Sequence, residues 1–231
     1  MTKKDVSLYN PLNLIDYETE NIIPEGGFGA VLARAGVGKT AFLVQIAIGA
    51  LVRGKNVLHI SLDNPVEKVS LWYKEVFSNL VKQHKTDRSW ESILPHRFIM
   101  TFKVDGFSVP KLEERLTDLT EQNIFSPYMV VVDGLPFDES TQNSFSDLKA
   151  LAKKHSMRIW FAVRIHRDEQ QNTDGMPVRF AKVSDLFDLA IQLKPEGKEI
   201  HVRTLKGGAQ TVEHSVLLLD PSTMMIKNSS L

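Results

Sequence analysis

Eight residues near the start of the chain have the types and the spacing of a phosphate-binding loop. Residues 33–40 read Ala-Arg-Ala-Gly-Val-Gly-Lys-Thr, which fits the pattern Gly-x-x-x-x-Gly-Lys-Thr with Ala33 in the first position. A short apolar run ends at Ala33, and an apolar helical pattern opens at Lys39. The plainer alternative is a glycine-containing turn before a helix. The flanking strand and helix patterns favour the phosphate-binding loop, because the motif requires that setting.

The chemistry of this loop follows from its residue types. Gly36 and Gly38 allow backbone N–H groups to turn inward and approach a phosphate closely. The helix that begins near Lys39 directs its free N–H groups and the positive end of its dipole at the same place. We expect Lys39 to contact the terminal phosphates of a nucleoside triphosphate and the Thr40 hydroxyl to ligate Mg²⁺. The predicted binding residues are Arg34, Ala35, Gly36, Val37, Gly38, Lys39, Thr40 and Ala41.

Two acidic residues stand at the ends of predicted buried strands. Asp133 ends the run 128–133, where a carboxylate can hold Mg²⁺ directly or through water; the alternative is an acid that only ends a strand. Asp63 follows the run 56–62, where it can polarise an attacking water, or, like Asn64, cap the helix after Pro65. Since the carboxyl ends of parallel strands line the ligand crevice, both acids are expected there.

The elements that must position these residues alternate along the chain. The patterns predict helices over 39–53, 66–83, 109–122 with Ser108 as the N-cap, and 144–155. After a first core strand ending at Ala33, they predict strands over 56–62, 97–102, 128–133, 157–163, 188–193, 199–205, 212–219 and 224–227. Strands follow one another after residue 163. We therefore expect an α/β fold, with a mostly parallel sheet flanked by helices and an antiparallel extension at the C-terminal end.

Composition limits the classes of protein that need to be considered. The 231 residues are 42% apolar, enough for one α/β domain with a full core, and Lys+Arg and Asp+Glu both number 28. Zero net charge argues against a protein whose main task is to hold polyanions. No Cys is present, which excludes disulfides and thiolate metal sites. No signal peptide or membrane-spanning apolar run is seen, so a soluble cytoplasmic protein is expected.

Together these motifs resemble a known family. The stretch from about residue 22 to residue 226 is similar to the RecA-type ATPase core, most of all to the ATPase domain of DnaB-type helicases and to KaiC-type ATPases. Residues 60–69, I-S-L-D-N-P-V-E-K-V, resemble the family segment in which a catalytic Glu ends the strand; here Asp63 stands in that position. Residues 130–135, V-V-V-D-G-L, match the second acidic motif.

The resemblance implies a nucleotide, a metal and an assembly. ATP and Mg²⁺ are the expected cofactors, with Thr40 and Asp133 at the metal, and ATP at the interfaces of a homo-oligomer. Residues 1–26 are expected to form an arm that packs on its own domain or on a neighbour, and residues 27–231 to form the ATPase domain. In the family's final hairpin, which residues 202–226 resemble, a Lys-x-Arg pair reaches the neighbouring subunit's terminal phosphate. Residues 204–206 are Thr-Leu-Lys, so Lys206 alone keeps a cation there.

Three departures from the family predict slow hydrolysis, with Lys39, Asp63 and Lys206 as the catalytic residues. Asp63 places its carboxylate about 1.5 Å further back than Glu, and a misplacement on that scale can lower a rate ~10²-fold. Lys206 lacks the bidentate fork of Arg. In residues 157–168, Val163 and Arg164 replace the family's Ser-Gln sensor.

Three functions remain open at this point, and all require a bound nucleotide. The first is an ATPase that acts as an assembly or regulatory switch. The second is a DNA-associated ATPase, which is less favoured because the counterparts of the family's DNA-contacting loops, 134–143 and 168–180, contain a single cation, Arg179. The third is a scaffold that holds ATP without hydrolysing it.

Overall fold

The computed structural model describes residues 12, 22–85, 87–138, 141–173, 175–197, 199–207, 217–220, 222–223 and 225–228. The strands are β1 (Phe28–Ala33), β2 (Val57–Ser61), β3 (Arg97–Thr101), β4 (Met129–Asp133), β5 (Arg158–Arg164), β6 (Leu189–Glu196), β7 (Glu199–Lys206), β8 (Leu217–Leu219) and β9 (Ile226–Asn228). The helices are α1 (Lys39–Leu51), α2 (Val66–His84), α3 (Val109–Glu121), α4 (Gln142–Lys154) and the single turn α5 (Val178–Ala181).

In the described part of the chain, one sheet contains all nine strands in the order β3-β2-β4-β5-β1-β6-β7-β8-β9. The pairs from β3 to β6 are parallel, and the pairs from β6 to β9 are antiparallel. The predicted α/β fold with an antiparallel C-terminal extension is therefore confirmed. The parallel pairing brings the carboxyl ends of β1, β2, β4 and β5 to one edge of the sheet.

Side chains that alternate along the strands form two cores, one on each face of the sheet. Trp160 and Ala162 of β5 pack in one core with α1 and α2, whereas Phe161 and Val163 pack in the other with α3 and α4. Helix α1 is buried continuously from Phe42 to Leu51, as its apolar sequence predicts. A buried helix fixes the direction in which its first turn points, and the predicted phosphate-binding loop ends at that turn.

Several element boundaries differ from the predictions. Helix α1 ends two residues early, at Leu51, and Gly54 follows with φ +71°. Helix α4 begins two residues early, at Gln142. The segment predicted as a loop over 164–180 contains the start of α5. Strand β8 covers the last three residues of the predicted strand 212–219, and the rest of that prediction lies outside the described residues.

Ser108 occupies the N-cap position of α3, as predicted, but its side chain makes no capping hydrogen bond. That part of the prediction is wrong. Pro110 lies in the first turn of the helix and removes one of the N–H groups that a cap would satisfy.

Part of the predicted arm packs against its own chain. Leu12 and Ile23 are each 2% exposed and belong to the core that contains α1. The Ile23 carbonyl accepts a hydrogen bond of 3.1 Å from Nε of buried Arg158. Gly29 leaves the space that Ile23 and Trp160 fill, since a Cβ there would lie 2.3 Å from Ile23. The rest of the arm lies outside the described residues, and its boundary at residue 26 stays a prediction.

Within the described ranges, no helix combines the length and the apolarity needed to cross a membrane.

Candidate functional site

The loop between β1 and α1 has the backbone conformation that its glycines predict. Gly36 has φ +78° and Gly38 has φ +104°, both in the left-handed region that favours glycine. Gly38 is also the N-cap of α1, and the first turn of that helix contains no acidic residue. The positive end of the α1 dipole is therefore not neutralised by its own first turn. Arg34 ties the loop to a neighbouring segment, since its Nη2 donates to the Arg167 carbonyl at 3.4 Å.

Lys39 lies half-buried at the mouth of this loop. Its Nζ donates a hydrogen bond of 3.0 Å to the carbonyl oxygen of Arg34. Burial lowers the pKa of Lys39, Asp133 raises it, and the charge of Arg164 lowers it. The ammonium is thus held over the loop by a neutral acceptor, in a position where a phosphate oxygen would be a stronger partner.

Asp133 and Thr40 meet at the centre of the site. Asp133 ends β4 and is 8% exposed, and its Oδ2 accepts a hydrogen bond of 2.7 Å from the Thr40 hydroxyl. Burial raises the pKa of Asp133, the Thr40 hydrogen bond and Lys39 oppose that rise, and Asp63 adds to it. The two predicted metal ligands, far apart in sequence, are therefore adjacent in space.

This pair fits Mg²⁺ by its donor chemistry. A hydroxyl and a carboxylate supply the oxygen ligands that Mg²⁺ takes in proteins. The described residues contain no group of three or more His, Asp or Glu arranged to hold a metal. A magnesium ion here would depend on phosphate oxygens and water for its other ligands, as in nucleotide sites generally.

Asp63 is exposed and lies next to Gly134, the residue that follows β4. Gly134 has φ +91°, and a Cβ there would come within 2.8 Å of the Asp63 carboxyl carbon. The capping alternative is wrong, because α2 has Pro65 at its N-cap and no side-chain capping bond. Asn64 instead donates its backbone N–H to the Ser61 hydroxyl at 3.0 Å. The Asp63 carboxylate is therefore available to the space beside Asp133.

These residues line one cavity of about 810 Å³. Its floor is formed by the phosphate-binding loop and by the ends of β2, β4 and β5, which contribute Asp63, Asp133 and Arg164. Of the predicted binding residues, Ala35, Gly36, Gly38, Lys39, Thr40 and Ala41 line it, whereas Arg34 and Val37 do not. The cavity thus lies outside the carboxyl ends of the parallel strands, which is where ligands generally bind in open α/β sheets.

Lys68 and Trp72 also line the cavity, which the sequence reasoning missed. The sequence pattern of α2 predicts a packing role for Trp72; the residue is half-buried and packs partly on the core, but it also lines the cavity. The Lys68 ammonium lies 5.3 Å from the centre of the Trp72 ring. A signal was present, because residues four apart on a helix that begins beside Asp63 share one face near the site.

Lys206 is not among the residues that line the cavity. Its Nζ donates a hydrogen bond of 2.7 Å to the Ser184 carbonyl and lies 3.9 Å from a carboxylate oxygen of Asp185. Its role toward a neighbouring subunit's nucleotide stays a prediction.

The charge pattern of α4 predicts a solvated face with Lys149, Lys153 and Lys154. That prediction is wrong for Lys149, which is 17% exposed and forms an ion pair of 3.0 Å with Asp188. The Lys149 ammonium also donates to the Leu186 carbonyl and lies over the Phe28 ring. The interaction is long-range in sequence, so the local charge pattern of α4 did not predict it.

Comparisons with known proteins add no identification: no protein-family model matches the chain, and no curated protein matches it.

Proposed function

We propose that the protein is a RecA-like phosphate-loop ATPase that binds ATP with Mg²⁺ in this cavity and hydrolyses it slowly, as an assembly or regulatory switch. The observation that carries the proposal is the hydrogen bond of 2.7 Å between Thr40 and Asp133, with Lys39 beside it. Two sequence motifs 93 residues apart supply the complementary parts of one site. Strand order, with the loop and both acids at one edge of a mostly parallel sheet, supports the same class.

Each residue has a distinct part in the proposed reaction. The loop backbone and the α1 N-terminus hold the phosphates, and Lys39 exchanges the Arg34 carbonyl for phosphate oxygens. Mg²⁺, when bound, neutralises charge on the transferred phosphoryl group. Asp63, exposed beside Asp133, orients the attacking water and receives its proton. Slow turnover follows from the short Asp63 side chain and from the lack of a bidentate guanidinium at Lys206.

Binding of ATP is tested with Lys39→Ala, measured by isothermal titration calorimetry in Mg²⁺. We expect the dissociation constant to rise about 100-fold, because the variant removes a half-buried charge that pairs with phosphate. The matched control is Lys74→Ala on the exposed face of α2, which should bind ATP as the wild type does. Equal affinity of the wild type and Lys39→Ala would contradict the proposed site.

Turnover of ATP, followed together with light scattering, separates the remaining functions. Slow hydrolysis coupled to a change in particle size supports the switch. A rate comparable to that of a fast motor ATPase would contradict it. Bound ATP that is recovered intact after long incubation would favour the scaffold.

A DNA-associated ATPase is less favoured. Lys149, one of three cations on α4, is half-buried and forms an ion pair with Asp188. Among the described residues of 134–138 and 168–180, the cation Arg179 lines the nucleotide cavity itself. Salt-sensitive binding of single-stranded DNA in the presence of ATP would reverse this preference.

A further inference from the structure

We infer that Arg97 is a positioning residue for the nucleotide cavity, because it holds the first two turns of α2 on the sheet and with them Lys68 and Trp72. Arg97 itself is not among the residues that line the cavity. The inference rests on the proposed function for the identity of the ligand, whereas the position of α2 can be measured without a ligand.

The start of α2 is weakly anchored by its own sequence. The helix begins without a side-chain capping bond. Of residues 66–73, only Val69 and Tyr73 are buried. Lys68 and Trp72 belong to the same two turns and line the cavity. A contact that fixes these turns on the sheet therefore also fixes one wall of the cavity.

Arg97, the first residue of β3, contacts these turns from the sheet. Its guanidinium lies 5.1 Å from the centre of the Tyr73 ring and 5.2 Å from the centre of the Trp90 ring. Its Nη2 donates a hydrogen bond of 3.4 Å to the Ser70 hydroxyl. Since Ser70 and Tyr73 stand on either side of Trp72 in the chain, one guanidinium holds the part of the helix that carries Trp72.

The fold gains little net stability from this guanidinium. Arg97 is half-buried, and its Nε and Nη1 are buried without an acceptor among the described residues. Burial lowers the pKa of Arg97, and from the described part of the chain Tyr73 alone opposes that shift, with no carboxylate beside it. Desolvation of the charge and of unbonded N–H groups costs stability, which two aromatic rings offset in part. Costs of this kind are found at functional sites.

Arg158 is the contrasting case and the matched control. It is 6% exposed, and its guanidinium lies 4.3 Å from the centre of the Tyr128 ring. It donates a hydrogen bond to the Ile23 carbonyl and lies 3.7 Å from a carboxylate oxygen of Glu25. Arg158 begins β5 and does not line the cavity. A buried guanidinium with a carboxylate partner is expected to stabilise the fold and to leave the cavity unaffected.

The position of α2 is tested first, in the absence of nucleotide. Arg97→Met replaces the guanidinium with an apolar side chain. We expect amide hydrogen exchange of residues 66–73 to become about fivefold faster or more in this variant, with exchange in α1 and α4 unchanged. Arg158→Met should leave residues 66–73 as they are in the wild type. Unchanged exchange over 66–73 in Arg97→Met overturns the inference, whether or not the protein binds a nucleotide.

The effect on the cavity is tested with ATP and Mg²⁺. We expect Arg97→Met to raise KM for ATP about fivefold or more and to leave kcat within about twofold, because Lys39, Thr40 and Asp133 belong to α1 and β4. A purely structural defect would lower the apparent kcat, by reducing the folded fraction, and would leave KM unchanged. The melting temperature of Arg97→Met should not fall, whereas Arg158→Met should melt at a lower temperature with the KM of the wild type.

Arg97→Lys completes the series. It keeps the charge but loses the planar group that stacks on two rings, so its KM should lie between those of the wild type and Arg97→Met. A KM and an ATP affinity of Arg97→Met equal to those of the wild type would overturn the assignment of Arg97 alone. A lower melting temperature with unchanged KM would do the same, since it describes a structural residue. Failure of the wild type to bind ATP would overturn the proposed function, and hydrogen exchange over 66–73 would then decide the role of Arg97 by itself.

Discussion

Asp133 shows how one residue can serve ligand binding at the expense of the fold. Its carboxylate is 8% exposed, and burial raises its pKa despite the hydrogen bond from Thr40. A raised pKa means that the folded protein binds this proton more tightly than the unfolded chain does. The contribution of Asp133 to stability is therefore largest at low pH and declines as the pH rises through the folded-state pKa.

Asp133→Asn removes this pH-dependent loss of stability. In the absence of nucleotide and metal, we expect the variant to unfold at a higher temperature than the wild type at pH 7 to 8, with the difference shrinking as the pH falls toward 4. The unfolding temperatures of both proteins are measured between pH 4 and pH 8. Subtracting one from the other cancels the contributions of the titrating groups that the two proteins share. The variant should lose Mg²⁺-dependent ATP binding. A wild type more stable than the variant at pH 8 would contradict the argument.

The sequence predicted which residues lie together at the centre of the candidate site, but not which residues lie at its edge. One local motif predicted Lys39 and Thr40, and another predicted Asp133. Their proximity was also predictable, because the strand ends of a parallel sheet share an edge. The four-residue spacing of Lys68 and Trp72 indicated one shared helix face, but the direction of that face depends on how α2 follows β2, which no motif encodes. That Asp63 does not cap α2 also required the structure, since Pro65 occupies the N-cap position and no side chain forms a capping hydrogen bond there.

At the scale of elements, β2 and α2 are joined by a buried polar contact. His59 of β2 is fully buried, and its Nδ1 lies 3.1 Å from the hydroxyl of Tyr73 on α2. Burial, together with the nearby charge of Arg97, lowers the pKa of His59 to about 3, so the ring is neutral at physiological pH. The Arg97 guanidinium lies over both the Tyr73 and Trp90 rings. This contact fixes α2, and with it Lys68 and Trp72, relative to the strand that leads to Asp63.

Tyr73→Phe tests the contact. It leaves a buried nitrogen of His59 without its partner, so we expect the free energy of unfolding to fall by about 1–3 kcal/mol. Urea denaturation gives this value. A double-mutant cycle with His59→Leu is the control: the two losses should add to more than the loss of the double variant, because both remove the same hydrogen bond. Strict additivity would mean that the contact contributes nothing.

The alternation of strands and helices predicted the fold class, but it did not predict strand order. Hydrophobic runs such as 130–132 and 159–163 are buried on both faces, so any of them can occupy a central position. Residues far apart decide the pairing, as when Gly29 makes room for Ile23 beside Trp160. The observed end of α1 and start of α4 differ from the predicted ones by two residues. Helix termini depend on local packing rather than on the apolar pattern.

At the scale of the whole molecule, the resemblance to RecA-type ATPases predicts a homo-oligomer with ATP at its interfaces. In the described part of one chain, the cavity contains the loop, both acids and Arg164, while Lys206 lies outside it. Assembly would therefore add to a cavity that already contains the proposed phosphate and metal ligands.

Sedimentation velocity with and without ATP and Mg²⁺ tests this prediction. We expect a larger species in the presence of ATP, because nucleotide at an interface favours association. Lys39→Ala, which should bind ATP about 100-fold more weakly, is the control and should sediment alike in both conditions at an ATP concentration that saturates only the wild type. A monomer with and without ATP would rule out the proposed action of Lys206 on a neighbouring subunit.

The position of Trp72 also gives the protein an optical signal of its own. Of the three tryptophans, Trp160 is 2% exposed in the core and Trp90 lies against Phe77, whereas Trp72 lines the cavity. Indole emission depends on the polarity and the charge around the ring, and a nucleotide bound in this cavity as proposed would change both. Occupancy of the site can thus be followed by intrinsic fluorescence in the unlabelled protein, with Trp72→Phe as the variant that silences the response.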